Sequence, residues 1–257
     1  MTPLVTVEDA LTLALVMSRI IALMMAFPFF NTNMIPLNVK VLLVTALSFY
    51  LMKVSGVHVL AQNFSLATFI LLIFKELLIG FALGLLANIF IAAFSYAAEI
   101  VSYFMGLTVV NSFDPTYGQV SVLSRFFIML FYFIFFASGA YLYFFASLAS
   151  SLQSIPLDQL SFNEGIWRYI IELSKEIFSL AFKLAFPFAL ILYMINLSLA
   201  LVNRLIPQIN VFIVGLPLQI FVGLAALAFG ASVVVYTGST FLAKMVDDYL
   251  YLLKHLG

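Results

Sequence analysis

"KELLIGFALGLLANIFIAAFSYAAEI", Lys75 to Ile100, sits inside an apolar run that extends from Leu66 to Met105. A helix of about 40 residues measures roughly 60 Å at 1.5 Å per residue, twice the ~30 Å of a bilayer's hydrocarbon core. Tilt absorbs a few ångströms of excess and no more. Either the run hides a turn, or the helix leaves the lipid. No turn signal lies between Gly84 and Met105, so the run reads as one long, bent helix. Apolar surface projecting beyond lipid has to be covered by other protein. Within the run, Glu76, Gly80, Gly84, Asn88 and Ala92 recur every four residues and share one slowly drifting helix face. Gly80 and Gly84 form a small-xxx-small pair, which lets two backbones approach closely.

The same reading divides the rest of the chain. Other apolar blocks run from about Ala10 to Phe30, Val41 to Met52, Val120 to Leu152, Ile166 to Ile206 and Val211 to Leu253. The second of the chain's six blocks, Val41 to Met52, falls short of the ~17–25 residues of a spanning helix. The last two, also about 40 residues each, are expected to be long bent helices. Pro187 can kink the fifth block without ending it. The last two blocks meet at "NRLIPQINVFIVGLP" and read as a helical hairpin turning around Pro207–Asn210. The clearest loop, "QSIPLDQLSFNEG" (Gln153–Gly165), divides an N-terminal part, 1–155, from this C-terminal hairpin, 156–257. The expected fold is all-α and membrane-associated, with long kinked helices and helical hairpins. A second row of small residues, Gly223, Gly230 and Gly238 after Gln219, marks another close-packing face.

Composition agrees. Hydrophobic residues make up 65% of the 257 and charged residues 9%, against roughly 25% charged in soluble domains. Mean hydropathy is +1.19. Eleven basic and eleven acidic residues cancel, so no patch for nucleic acid is indicated. The absence of cysteine excludes disulfides and thiolate chemistry. His58 and His255 read as a loop and a tail residue. With no Ser-His-Asp set, metalloprotease motif or phosphate-binding glycine loop, the sequence suggests no enzyme and no cofactor or metal. Glu8 and Asp9, with no Lys or Arg ahead of the first apolar block, speak against a cleavable signal peptide.

Arg19, Lys75, Glu76, Glu99, Lys183 and Arg204 lie in or beside the apolar blocks. A charge at mid-membrane is costly, so each is expected to pair, to snorkel, or to line a wet pathway. Lys75 and Glu76 are neighbours in sequence and do not face each other on a helix, so each is expected to find another partner. Glu99 precedes the chain's most conspicuous break and is expected to set the geometry of Gly106 or to line the same cavity. That break, "GLTVVNSFDPTYGQ" (Gly106–Gln119), gathers turn formers between two apolar blocks. Irregular backbone at membrane depth persists only when it is buried in protein or lines a wet cavity.

Four stretches together carry a resemblance: "SRIIALMMAFPFFNTNMIPLNVK" with Arg19, Pro28 and Pro36, "KELLIGFALGLL", "DPTYGQ", and "NRLIPQINVFIVGLPLQI". The last, with Arg204, Pro207, Gln208, Asn210, Phe212, Gly215 and Pro217, is the most specific. The chain resembles the FliR family of flagellar export-gate proteins and their relatives in virulence type III secretion, over nearly its full length. The resemblance implies a pore-forming subunit of the bacterial inner membrane and flagellar basal body, joined with FliP-like and FliQ-like subunits. It further implies FlhA-type and FlhB-type components, membrane lipid, and unfolded flagellar proteins in transit. Residues 1–155 would be the FliP-like part and 156–257 the FliQ-like hairpin. The break would plug the closed channel: Gly106 and Gly118 let the chain leave and rejoin helices, and Asp114 and Pro115 make a turn. Val109, Val110, Phe113 and Tyr117 would fill the lumen, with Asn111 among them. The first alternative is a virulence type III secretion homologue of the same gate; a secondary transporter is the second, since broken helices and intramembrane charges belong to transporters too. A non-conducting scaffold is the third reading.

Overall fold

A computed structural model describes residues 6–27, 29–30, 35–59, 65–108, 121–158, 164–208 and 210–256, with backbone alone at 164–170, 211–212 and 252–256. Among the described residues there are eight helices and no strand: α1 (Val7–Ala26), α2 (Leu37–Ser55), α3 (Leu66–Phe104), α4 (Val122–Ala137), α5 (Ala140–Ser154), α6 (Glu164–Leu205), α7 (Val211–Phe229) and α8 (Ala231–Leu256). The all-α expectation holds. Among the described residues four helices are long and apolar enough to cross a membrane, and the bent pairs α4–α5 and α7–α8 raise the number to as many as six.

Local chemistry explains the boundaries. At the start of α1, Thr6 Oγ1 accepts from the Asp9 N–H at 3.1 Å, and Asp9 Oδ2 accepts from the Thr6 N–H at 3.1 Å. This capping box satisfies donors that the first helical turn leaves orphaned. Helix α3 is unbroken over 39 residues, as its lack of turn formers implies. Helix α6 continues for 42 residues with Pro187 inside it.

Two expectations are corrected. Helix α2 covers 19 residues, enough to span, where the short block Val41–Met52 suggested otherwise. Its ends carry Asn38, Lys40 and Lys53, which continue the helix although they end the apolar run. The last block is not one continuous helix: it breaks at Gly230 into α7 and α8, bent by 61°. A Cβ at Gly230 would lie 2.5 Å from a ring carbon of Phe188 and 2.9 Å from the Ala226 carbonyl oxygen. The ring of Phe188 therefore occupies the space a side chain would need. Just beyond the end of α4, Gly139 has φ +75°. Glycine alone adopts that conformation without cost.

The chain forms two compact units, with boundaries inside α3, α6 and α8. The first contains residues 1–89, 141–174 and 244–257. Its core includes Leu15, Ile20, Leu72, Leu86 and Leu148. Phe27 stacks on Phe144 at 5.0 Å, and Phe144 meets Tyr249 edge-on at 5.7 Å. The fully buried Tyr249 donates its hydroxyl to the Leu83 carbonyl at 2.6 Å. The second unit contains residues 90–140 and 175–243. Phe94 centres its core, edge-on to Phe131 at 5.1 Å and to Phe241 at 6.3 Å. In this unit α6 and α7 form the expected hairpin: Asn196 pairs with Gln219, and farther from the turn Phe188 lies against Gly230.

Candidate functional site

In the first unit the small-residue stripe and the buried charges prove to be one feature. A Cβ at Gly80 would stand 2.0 Å from the Arg19 carbonyl oxygen, and one at Gly84 would stand 2.5 Å from Ala26 Cβ. Helix α1 therefore lies directly on α3, and only glycine fits at the crossing. One turn farther, Asn88 Nδ2 donates to the carbonyl of Ala26, the last residue of α1, at 3.3 Å. One turn back, Arg19 Nε donates to Glu76 Oε2 at 2.5 Å, with both side chains fully buried. The glycines bring the backbones close enough for the guanidinium to reach.

The Arg19 guanidinium also donates to the Ser151 carbonyl at 2.6 Å and the Ile155 carbonyl at 3.4 Å. Lys75 Nζ donates to the Pro156 carbonyl at 2.6 Å. These carbonyls belong to the end of α5 and the turn just beyond it, where a helix leaves acceptors unsatisfied and its dipole favours cations. The expectation that Lys75 and Glu76 cannot meet is corrected: Lys75 Nζ lies 3.0 Å from Glu76 Oε1, both buried. A four-carbon stem curls back where the backbone vectors diverge. This contact is the second ion pair on Glu76, beside the one with Arg19. Two cations, one shared anion and three carbonyls thus form one buried cluster.

The second unit holds the described margins of the break. Gly106 ends α3 with φ +73°, its N–H donating to the Tyr103 carbonyl at 3.0 Å. Asn196 Nδ2 donates to the carbonyl of Phe104, the last residue of α3, at 3.4 Å. Gln219 Nε2 donates to Asn196 Oδ1. A Cβ on Gly106 would lie 3.3 Å from Gln219 Oε1. At the far margin, Glu99 Oε1 accepts from the Ser121 N–H at 3.0 Å and from Ser124 Oγ at 2.5 Å. Ser121 Oγ in turn accepts from the Ser124 N–H at 3.1 Å, capping α4. Glu99 thus supports the N-terminus of α4, whose dipole favours an anion. The sequence linked it to Gly106; its hydrogen bonds go to the opposite margin. An apolar cavity of about 650 Å³ opens here, lined by Leu107, Val122, Phe126, Ile220 and Leu224 among others.

The remaining positions are scattered. Lys183 and Arg204 are exposed on α6, and neither has an ion-pair partner among the described residues. Pro36 precedes α2. Pro207 and Gln208 make the α6–α7 turn, and the Asn210 carbonyl accepts from the Ile213 N–H at 3.0 Å. Gly215 is buried and Pro217 exposed, both inside α7. Gly223 receives the Met105 side chain: a Cβ there would lie 2.5 Å from Met105 Cγ. Pro28, Val109, Val110, Asn111, Phe113, Asp114, Pro115, Tyr117 and Gly118 lie outside the described residues, as does the side chain of Phe212. Among the described residues no group of three or more His, Cys, Asp or Glu side chains could hold a metal. Asn196 escaped the sequence reading. Its signal was an amide within the apolar run "LILYMINLSLA", Leu190 to Ala200.

Residues 10–245 match the family described as bacterial export proteins, family 1. The chain belongs to that family. The flagellar biosynthetic protein FliR of Aquifex aeolicus is 31% identical over 247 residues, covering 96% of this chain and 95% of the relative. FliR of Bacillus subtilis is 33% identical over 193 residues, 74% of each chain. FliR of Escherichia coli K12 is 28% identical over 213 residues, covering 82% of this chain and 80% of the relative. As a family member with several apolar helices able to span, the chain is a multi-pass inner-membrane component of the flagellar export apparatus.

Proposed function

We propose that this export protein is a pore-forming core subunit of the flagellar type III export gate, and that its Gly106–Gln119 stretch helps to plug the closed channel. Unfolded flagellar proteins would pass through a conduit built jointly with FliP-like and FliQ-like subunits, in contact with FlhA-type and FlhB-type components. On this reading 1–155 is the FliP-like part and 156–257 the FliQ-like hairpin. The chain would supply wall and plug, and the energy would come from elsewhere.

The observation that carries the reading is the uncovered length of α6. Phe178, Phe182, Phe186, Leu190, Met194 and Leu201 are all exposed along it. At 1.5 Å per residue its 42 residues reach about 63 Å, beyond what ~30 Å of lipid can cover. Neighbouring subunits are the natural cover. The paired cluster of Arg19, Lys75 and Glu76 also speaks against the transporter alternative, since its charges satisfy one another and nearby carbonyls.

The test has two parts. A C-terminal tag should pull out a hetero-oligomer, and a stable monodisperse single chain would refute the shared wall. In planar bilayers, the complex lacking residues 109–117 should assemble and leak small ions. A complex that assembles without leaking would remove the plug.

A further inference from the structure

In the second unit α3 and α6 border an open groove of about 750 Å³. Its walls are largely aromatic: Tyr96, Tyr103 and Phe104 come from α3, Phe178 and Phe182 from α6. Tyr96 and Phe178 stack at 5.8 Å between the two helices, and Tyr103 meets Phe104 edge-on at 5.6 Å. Positions 96, 99 and 103 share one face of α3, and 178 and 182 share one face of α6. Helical spacing thus sets a single carboxylate, Glu99, among the rings. Only half of that carboxylate is used. Oε1 accepts from Ser121 and Ser124, while Oε2 has no hydrogen bond or ion pair among the described residues. The chain between the helices cannot bring a cation to it, because residues 109–120 contain no Lys or Arg. Tyr96, Tyr103, Phe178 and Phe182 are all exposed.

We propose that this groove receives a basic side chain, arginine or lysine, from a neighbouring subunit of the export gate, with Glu99 as its counter-ion. The inference rests on the shared wall proposed above and names the chemistry that the neighbour brings to it. Lipid tails suit the rings, but a half-exposed carboxylate is costly in hydrocarbon. Water suits the carboxylate and leaves four large rings uncovered. A cation on an apolar stem suits both. Ring faces attract it, the carboxylate pairs with it, and both attractions strengthen as the interface excludes water. The methylene stem covers apolar surface on the way in. Arginine fits especially well, since its planar head stacks on a ring while an edge N–H donates to Oε2. Glu99 then serves two chains: one oxygen supports the start of α4, and the other meets the neighbour.

The test uses this chain co-expressed with FliP-like and FliQ-like subunits and purified through a C-terminal tag. Glu99→Gln removes the charge and keeps a side-chain oxygen for Ser121 and Ser124, so α4 keeps its support. The amount of the chain in membranes should stay unchanged. The neighbour retained through a detergent wash should fall roughly 5- to 30-fold, the size of one lost ion pair with its ring contacts. Benzoylphenylalanine in place of Phe182 should photo-crosslink the neighbour beside a Lys or Arg, read by mass spectrometry. Glu99→Lys should then be rescued by exchanging that basic residue for glutamate. Full retention by Glu99→Gln refutes the inference and leaves the shared wall standing. Crosslinks to phospholipid alone, or to a segment without Lys or Arg, also refute it. A wild-type chain that retains no neighbour removes both. Should Glu99→Gln lower the amount of the chain, Tyr103→Leu decides: weaker retention at a normal amount supports the inference, and unchanged retention refutes it.

Discussion

Helices α3 and α6 have nearly the same length, each contains a strongly apolar stretch, and their surroundings are opposite. Their most apolar stretches have mean hydropathies of 2.4 and 2.1, yet 67% of the first is buried by the chain itself against 22% of the second. Their charges follow the same division. Lys75 and Glu76 on α3 are fully buried and paired, while Lys183 and Arg204 on α6 stand exposed. Hydropathy reports that a helix needs a cover and says nothing of who supplies it. The α3 stripe of Gly80 and Gly84 answers the question for α3, because a backbone groove that fits α1 is already present in the chain. Along α6 bulky aromatic residues stand outward instead, a surface suited to partners.

The comparison is easiest to break at the α1–α3 cluster. Glu76→Ala leaves Arg19 and Lys75 buried without their anion, and should destabilise the chain by about 3–5 kcal/mol. Purified yield and thermal midpoint should both fall. Converting Arg19, Lys75 and Glu76 together to Met should recover most of that stability; a triple variant as weak as the single one would mean that the cluster matters for more than charge balance. A smaller effect is expected at Glu99, which is half-buried. Glu99→Leu removes two hydrogen bonds at a half-exposed carboxylate, about 1.5–3 kcal/mol each before solvent screening and together well below that after it. Hydrogen exchange should quicken first at the N-terminus of α4, and unchanged protection there would remove Glu99 as its cap. The smallest effect on the chain itself is expected at Lys183. Lys183→Leu should leave the amount of the chain in membranes unchanged and weaken co-purification of partner subunits. A variant that lowers that amount and spares assembly would reverse the contrast between the two helices.

Much of the architecture was legible. The 39-residue α3 followed from the absence of turn formers after Gly84, and the α6–α7 hairpin from the prolines and polar residues around Pro207. The shared face of Glu76, Gly80, Gly84 and Asn88 was readable from spacing. Its four residues meet α1 in order, at Arg19, at the Arg19 carbonyl, at Ala26 Cβ and at the Ala26 carbonyl. Two points were not legible for stated reasons. The break at Gly230 depends on Phe188, which lies 42 positions away in sequence and reaches it only through the hairpin. Lys75 meets Glu76 because a flexible side chain is not bound by the direction of its Cα–Cβ bond.

The sequence alone determined that this is a helical membrane chain with rods longer than a bilayer, a punctuated break after Gly106 and charges that had to be neutralised. Those properties are local: they follow from hydropathy, helical period and turn chemistry over a few residues. Tertiary structure decided the partners. It gave Arg19 to Glu76, Glu99 to Ser121 and Gln219 to Asn196, and it left α6 bare. Pairing across 22 to 57 positions depends on which backbones can approach and where a side chain then ends, and that is set by packing in three dimensions.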